Sequence, residues 1–241
     1  MKTATLLGLL GLALASQAHA VQTIDLTAGM AGGDAFAASA TSLFMTTAYN
    51  DGDDLDTGGN FNFSGVVPLM AGGAAGSMEA FAGHPAGEYD IGRFDGSTST
   101  ATEGSVYKLS NIAVNAGDTL SFDWTFYTNE PATGAMKDAA YFSVLNHVTA
   151  LIATADGVNG DAGLSGYRAA TSGVFSHTFA NAGTYSLVFA VVDTDDVVNS
   201  SAFAVNNLAV TPVPEPRDWM LMLAGIGLVG LMVVRNRRRL V

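Results

Sequence analysis

Two acidic stretches hold the residue types best suited to chemistry. In Asp51-Gly52-Asp53-Asp54-Leu55-Asp56-Thr57-Gly58-Gly59-Asn60, the carboxylates of Asp51, Asp53, Asp54 and Asp56 alternate with turn-forming residues. In Asp193-Thr194-Asp195-Asp196, three more follow an apolar run. Calcium takes about six to eight oxygens from a flexible loop, so each stretch is a candidate calcium site: Asp51, Asp53, Asp54 and Asp56 in one, Asp193, Asp195 and Asp196 in the other. The EF-hand pattern fails, because Leu55 stands at the third ligand position and Asn62, not glutamate, at the twelfth. The plain alternatives are a solvated acidic turn and a charged loop at a strand end.

Other chemistry is thinly represented. His19, His84, His147 and His177 show no H-x-x-x-H spacing, and His177 shares a strand face with Phe175 and Phe179, as a core-edge histidine would. No G-x-S-x-G is present, so the usual hydrolase elbow is missing. A triad or carboxylate pair assembled only in three dimensions leaves a secreted hydrolase as the third functional option. The chain has no cysteine, which excludes thiol catalysis and cysteine-ligated zinc. Trp124 could stack on a sugar, but it alternates with Leu120, Phe122 and Phe126, which points to the core. Tyr89, Tyr127 and Tyr167 are the better surface aromatics. Asn62-Phe63-Ser64 and Asn199-Ser200-Ser201 are formal glycosylation sequons. Gly225-Ile226-Gly227-Leu228-Val229-Gly230 matches a dinucleotide-binding pattern, but no strand precedes it and no acid follows, so it is read as glycines of an apolar helix.

The elements that must position these residues are mostly strands. Leu120, Phe122, Trp124 and Phe126 alternate with polar residues, a period of two. Tyr141–Leu145, Ala150–Thr154, Phe175–Phe179 and Phe203–Val210 read as further strands. Tyr185–Val192 is apolar on both faces and reads as a central strand. In the first half, Ser42–Ala48, Phe61–Leu69 and Ser105–Val114 are short apolar pieces, Met70–Ser77 is a small-residue loop, and no convincing helical period occurs. Asn115-Ala116-Gly117 and Asn181-Ala182-Gly183 each precede a strand, which suggests equivalent strands in two sheets. Short strands with Gly/Asp turns predict a mainly β fold, an antiparallel β-sandwich or jelly roll over 21–211.

The two ends differ from this body. Met1–Ala20 reads as a secretory signal peptide: Lys2, an apolar Leu6–Ala15 segment, and the A-x-A site Ala18-His19-Ala20, with Ala18 and Ala20 as the small cleavage residues. At the other end, a proline-rich linker (212–218) leads into an uncharged run from Trp219 to Val234, read as one transmembrane helix. Its sixteen residues span about 24 Å, short of a bilayer core of roughly 30 Å. Arginines in 235–241 mark a basic cytoplasmic tail. Between the ends, residues 21–211 carry 20 acids and four bases (Arg93, Lys108, Lys137, Arg168), a net −16 inside a chain of net −12. Such a body repels nucleic acid and suits divalent cations.

The order Val213-Pro214-Glu215-Pro216, apolar helix, then Arg235, Arg237, Arg238 and Arg239 resembles the PEP-CTERM sorting signal of Gram-negative bacteria, also called an ice-binding protein C-terminal domain. That resemblance implies a precursor held briefly at the inner membrane, cleavage near Pro-Glu-Pro by an exosortase-type protease, and release to the cell surface or extracellular matrix. It implies nothing about ice. The phrases Gly117–Trp124, Gly183–Leu187 and Val205–Leu208 resemble those of β-sandwich ectodomains on such proteins, which are similar in architecture to carbohydrate-binding modules. The chain departs from them at Asn206-Asn207, where an Asp-Asn pair is expected. The resulting expectation is a non-enzymatic, structural or adhesive surface protein. The alternative is a carbohydrate-binding module for exopolysaccharide. Calcium is the one cofactor considered.

Overall fold

The computed structural model describes residues 20–49, 62–133, 137–213 and 216–237. Its strands are β1 (Gln22–Thr23), β2 (Met30–Gly32), β3 (Ala35–Ser39), β4 (Ser42–Thr46), β5 (Leu69–Met70), β6 (Ala101–Val114), β7 (Thr119–Thr128), β8 (Ala139–Val144), β9 (His147–Thr154), β10 (Ala169–Thr178), β11 (Gly183–Thr194) and β12 (Ser201–Thr211). The helices are α1 (Met78–Ala82), α2 (Gly92–Asp95) and α3 (Pro216–Arg237). All strand pairs are antiparallel. The first sheet runs β10-β7-β12-β4-β3, with β1 beside β12; the second runs β2-β6-β11-β8-β9, with β5 beside β6. From β6 onward every connection crosses between the sheets except the β8–β9 hairpin, where Leu145 (φ 64°) turns the chain.

The pattern of two explains the central layer. Leu120, Phe122 and Phe126 of β7 point inward to meet Phe142, Leu187, Phe189 and Val191 of the second sheet. Phe122 lies 5.3 Å from Phe142 and 5.1 Å, edge-on, from Phe189, between ring centroids. The strand that is apolar on both faces, β11, is central between β6 and β8. Its Leu187, Phe189 and Val191 serve the inter-sheet core, while Val188, Ala190 and Val192 serve a second apolar layer on the outside of that sheet. The two turn phrases lead into β7 and β11, which lie in opposite sheets.

The second layer is built by a segment with no helical period in the sequence. Residues 71–100 cross the outer face and bury Met78, Ala82, Tyr89 and Ile91 against Val106, Tyr141 and β11. Ser77 caps α1 by accepting from Ala80 N, and Gly83 closes it at φ 83°, a left-handed position suited to glycine. Buried Glu79 accepts from Gly72 N and Gly73 N, each at 3.1 Å, which fastens the small-residue loop. One-turn helices of this kind arise from capping and burial, so periodicity could not reveal them.

Within the short apolar piece Phe61–Leu69, residues 62–68 form no strand. Buried Asp34 captures the main chain there: its carboxylate accepts from Phe63 N (2.8 Å), Ser64 N (2.7 Å) and Thr46 Oγ1 (2.7 Å). Asn62 is committed as well, donating to Ala48 O and Val66 O.

At the C-terminus α3 is a helix of 22 residues. Among the described residues no helix is long and apolar enough to cross a membrane. The expected span consists of sixteen uncharged residues between Asp218 and Arg235. Gly225–Gly230 lies within α3, so the glycine pattern there is helix and not a phosphate-binding turn. Met1–His19, with Ala18, lie outside the described residues, as do Asp51, Asp53, Asp54, Asp56, Pro214, Glu215, Arg238 and Arg239.

Candidate functional site

The first candidate is a polar layer that closes one end of the inter-sheet core. On β11 the inward series Leu187, Phe189, Val191 continues to Asp193, which is paired in register with Glu103 of β6. Val192 pairs with Ala139, the first residue of β8, so Asp138 lies on the next rung beside Asp193. In the facing sheet, Phe126 is followed on the same face by Thr128, and Phe203 is preceded by Ser201, in register with Thr128. Ser201 N donates to Thr47 Oγ1 at 3.0 Å. Carboxyls from three adjacent strands of one sheet thus share an end of the core with three hydroxyls from the other. Asp138, Asp193, Thr47, Thr128 and Ser201 are fully buried, and Glu103 nearly so.

The hydrogen bonds are unevenly shared. Ser201 Oγ lies 2.6 Å from Asp138 Oδ2 and 2.9 Å from Thr128 Oγ1, and its single proton serves the carboxylate. Neither carboxylate oxygen of Asp193 finds a donor. Its polar neighbour is the Asp138 carboxyl, which can bond to it only if one of the pair holds a proton. Among the described residues no lysine or arginine forms an ion pair with Asp138, Asp193 or Glu130. Arg168 approaches but gives its Nε to the Glu130 carbonyl oxygen.

The acid strengths reflect this isolation. Burial pushes Asp138 up to about 7, against the pull of hydrogen bonds from Asp193 and Ser201. Burial and then the Asp138 charge raise Asp193 well above the carboxylate range. Glu130 is pushed up to about 8 by burial and by the charges of Asp138 and Asp196. Asp196, at the turn into β12, is raised by burial.

Of the three acids singled out in this stretch, Asp193 is therefore not in a charged loop; it is an inward residue of a strand. Asp196 adjoins the polar layer. Asp195 turns away: it is exposed, at φ 66°, and its Oδ1 accepts from Thr100 N at 2.9 Å. Glu103, Glu130 and Asp138 escaped sequence reasoning. The available signal was a carboxylate continuing an inward apolar alternation, as at Val191-Val192-Asp193. Among the described residues no group of three Asp, Glu or His side chains is arranged to hold a metal ion.

The second candidate is a cleft of about 570 Å³ at the open edge of the molecule, between β9 and β10. Trp124 lines it with Ile152, Thr154, Asp156, Asn159 and Thr171. Trp124 packs against the core as the alternation implied, but it is only half-buried and reaches this cleft. Gly173, its register partner, makes room: a Cβ there would lie 2.8 Å from the indole Cζ2. The indole there stands beside carboxylate, amide and hydroxyl side chains.

The tyrosines fall elsewhere than expected. Tyr89 is fully buried, 5.6 Å from Tyr141 beneath the 71–100 cover. Tyr167 is 7 % exposed, its ring against Tyr127 at 5.7 Å. Tyr127 is half-buried on the outer face of the first sheet, with Phe44 at 6.1 Å. His177 is a core-edge residue, edge-on to Phe179 at 5.0 Å and held down in pKa by burial.

A third polar group pins the cover to β9. The buried Glu88 carboxylate bonds to Val148 N (3.0 Å) and His147 Nδ1 (3.2 Å) and pairs with Arg93. Burial alone would raise Glu88; the bonds from Arg93, Val148 and His147 outweigh it and hold the group at about 2. Nearby His84 is pushed down to about 4 by burial, so its ring is neutral.

No protein-family model matches the chain, and no curated protein matches it.

Proposed function

We propose that this chain is an exported surface or matrix protein, a jelly-roll-type domain delivered by a signal peptide and a PEP-CTERM-like tail. The strand orders β4-β12-β7-β10 and β6-β11-β8-β9, with crossovers at all steps from β6 except β8–β9, support the jelly-roll reading. The observation that carries the export reading is the position of the two ends. Ala20 and Val21 are exposed, and Gln22 pairs with Val210 at the end of β12. The chain then runs from Thr211 through Val213, whose N donates to Asp118 Oδ1, into Pro214-Glu215-Pro216 and α3. The described residues next to both processing signals, Ala20–Val21 and Thr211–Val213, therefore lie at one edge of the domain. An uncharged run of sixteen residues suits a temporary hold at the inner membrane better than a permanent anchor. Mass measurement of the protein recovered from its host tests this. A chain running from Val21 to near Glu215 is expected; one intact through Val241 would refute processing by an exosortase-type protease.

A second reading is favoured by the Trp124 cleft: the domain binds a carbohydrate, with exopolysaccharide the natural ligand of a surface protein. Indole stacking and the polar groups of Asp156 and Asn159 would supply the contacts. Pull-down on purified exopolysaccharide, lost in Trp124→Ala, is the expected result. Equal retention of both proteins on every polysaccharide would rule it out.

A further inference from the structure

We infer that β10 is a self-association edge, pairing antiparallel with β10 of a second copy of this chain so that their first sheets join into one. What the edge offers is a row of main-chain groups. Successive residues of a strand direct their N–H and C=O to opposite sides. Phe179 N, in step with the odd-numbered residues, donates to Asp118 O at the start of β7, whereas Ala170 N donates to Gly160 O, outside the β7 pairing. The even-numbered residues of β10 therefore direct their main-chain groups to the open edge. Ser172, Val174, Ser176 and Thr178 are exposed, and their N–H and C=O groups find no hydrogen-bond partner among the described residues. The partner that satisfies such a row is another strand.

The other sheet edges among the described residues are protected. β3 has five residues and a register shift, and β1, β2 and β5 have two or three residues each. β9 is interrupted by two register shifts, and its Val148 N is taken by Glu88. Short length, bulges and covering contacts are the usual defences of an edge. β10 has none of them. Its ten residues pair with β7 without a shift, and they include no proline and no charged side chain. Val174 is 72 % exposed, and no other large apolar side chain described is more so.

Register and charge point to a second copy as the occupant. With a two-fold axis at Phe175, Ser172 faces Thr178 of the copy and Val174 faces Ser176. All four edge residues then meet edge residues and exchange about eight hydrogen bonds, as an isologous interface requires. Ala170, already bonded to Gly160, is left out of the pairing. Phe175 faces its own copy in a non-hydrogen-bonded pair, where side chains approach most closely. Its ring already lies 5.1 Å from both Phe122 and Phe142, so the aromatic cluster would continue across the axis. Residues 21–211 carry a net −16, so copies repel each other over much of the surface. The uncharged run 169–178 is where two copies meet without opposing side-chain charges.

The test is sedimentation equilibrium of the full-length protein in a neutral detergent at neutral pH. A monomer–dimer equilibrium is expected, with a Kd that falls several-fold as sodium chloride is raised from about 0.05 to 0.5 M, because salt screens the acidic bodies. Val174→Lys puts a charge on the edge at an exposed position, and Ser176→Pro removes an edge-directed N–H; each should abolish the dimer. The chain has no cysteine, so register can be read by disulfide trapping. Val174→Cys mixed with Ser176→Cys should give a disulfide-linked dimer on mild oxidation, and far less of it should form in either variant alone. A protein that stays monomeric at high salt would overturn the inference. So would a dimer that persists in Val174→Lys and shows no preferential cross-link in the mixture, which would place the contact elsewhere, α3 included. If Ser176→Pro fails to fold, Val174→Lys and the cysteine pair decide the matter without it.

Discussion

Replacing Glu88 by glutamine should weaken the fold at neutral pH and hardly at all in strong acid. The carboxylate joins the 71–100 cover to β9 through Val148 N and His147, with Arg93 as its ion-pair partner. Its acidity is lowered from an ordinary 4.5 to about 2. At about 1.4 kcal/mol per pH unit that depression corresponds to roughly 3 kcal/mol. The side chains of Arg93 and His147 are 44 % and 61 % exposed, so water screens part of the attraction. We expect about 1–2 kcal/mol after that discount. The sign follows from linkage. A carboxylate with a depressed folded pKa adds stability above its unfolded value near 4.5, and that stability is lost as pH falls through about 2. Urea unfolding of Glu88→Gln and the unaltered chain, at pH 7 and at pH 2.5, reads the difference directly. Neutral His84 also destabilises the fold in acid, and because the Glu88 charge raises its pKa, the variant's His84 adds slightly to the gap that remains at pH 2.5. A gap of the same size at both pH values would assign the effect to packing and refute the electrostatic account. No gap at pH 7 would show that the bonds on Glu88 contribute nothing net.

Other perturbations probe the remaining layers. Phe122→Ala removes the ring that meets Phe142, Phe175 and Phe189 and should cost about 3–5 kcal/mol in equilibrium unfolding. Gly173→Ala places a methyl 2.8 Å from the Trp124 indole; a loss of about 1–3 kcal/mol and an altered tryptophan fluorescence spectrum are expected. Asp34→Ala frees Phe63 N and Ser64 N; faster proteolysis within 62–68, with the rest of the domain intact, would be its signature.

Much of the second half of the fold was legible because its signal is local. Period-two alternation marked β7 and the end of β10, and two-sided apolarity marked β11 as central. Each of these features records which strand face meets the core. The first half was less legible. The 71–100 cover depends on a Ser77 cap, a Glu79 carboxylate reaching back to Gly72 and Gly73, and burial against a sheet whose central strand β11 lies far along the chain. The loop after Phe63 depends on Asp34, about thirty residues earlier. Linear pattern carries no trace of such long-range capture.

The candidate sites divide along the same line. By itself the sequence determined the cysteine-free, acidic composition, the β class with its main strands, and the linear order of apolar and charged segments at the two ends. All are properties of residue type or of neighbours along the chain. Only the tertiary structure decided which acids matter together. Asp138 and Asp193 are 55 positions apart and meet because β8 and β11 pair in one register, while adjacent Asp195 is turned outward by a left-handed backbone. It also decided that Trp124, whose spacing marks it as core, faces a cleft, because the two sheets leave the β9 and β10 edges open. Register and sheet edges are set by pairing across the fold, and that pairing, more than the residue types, fixes where a side chain's chemistry is available.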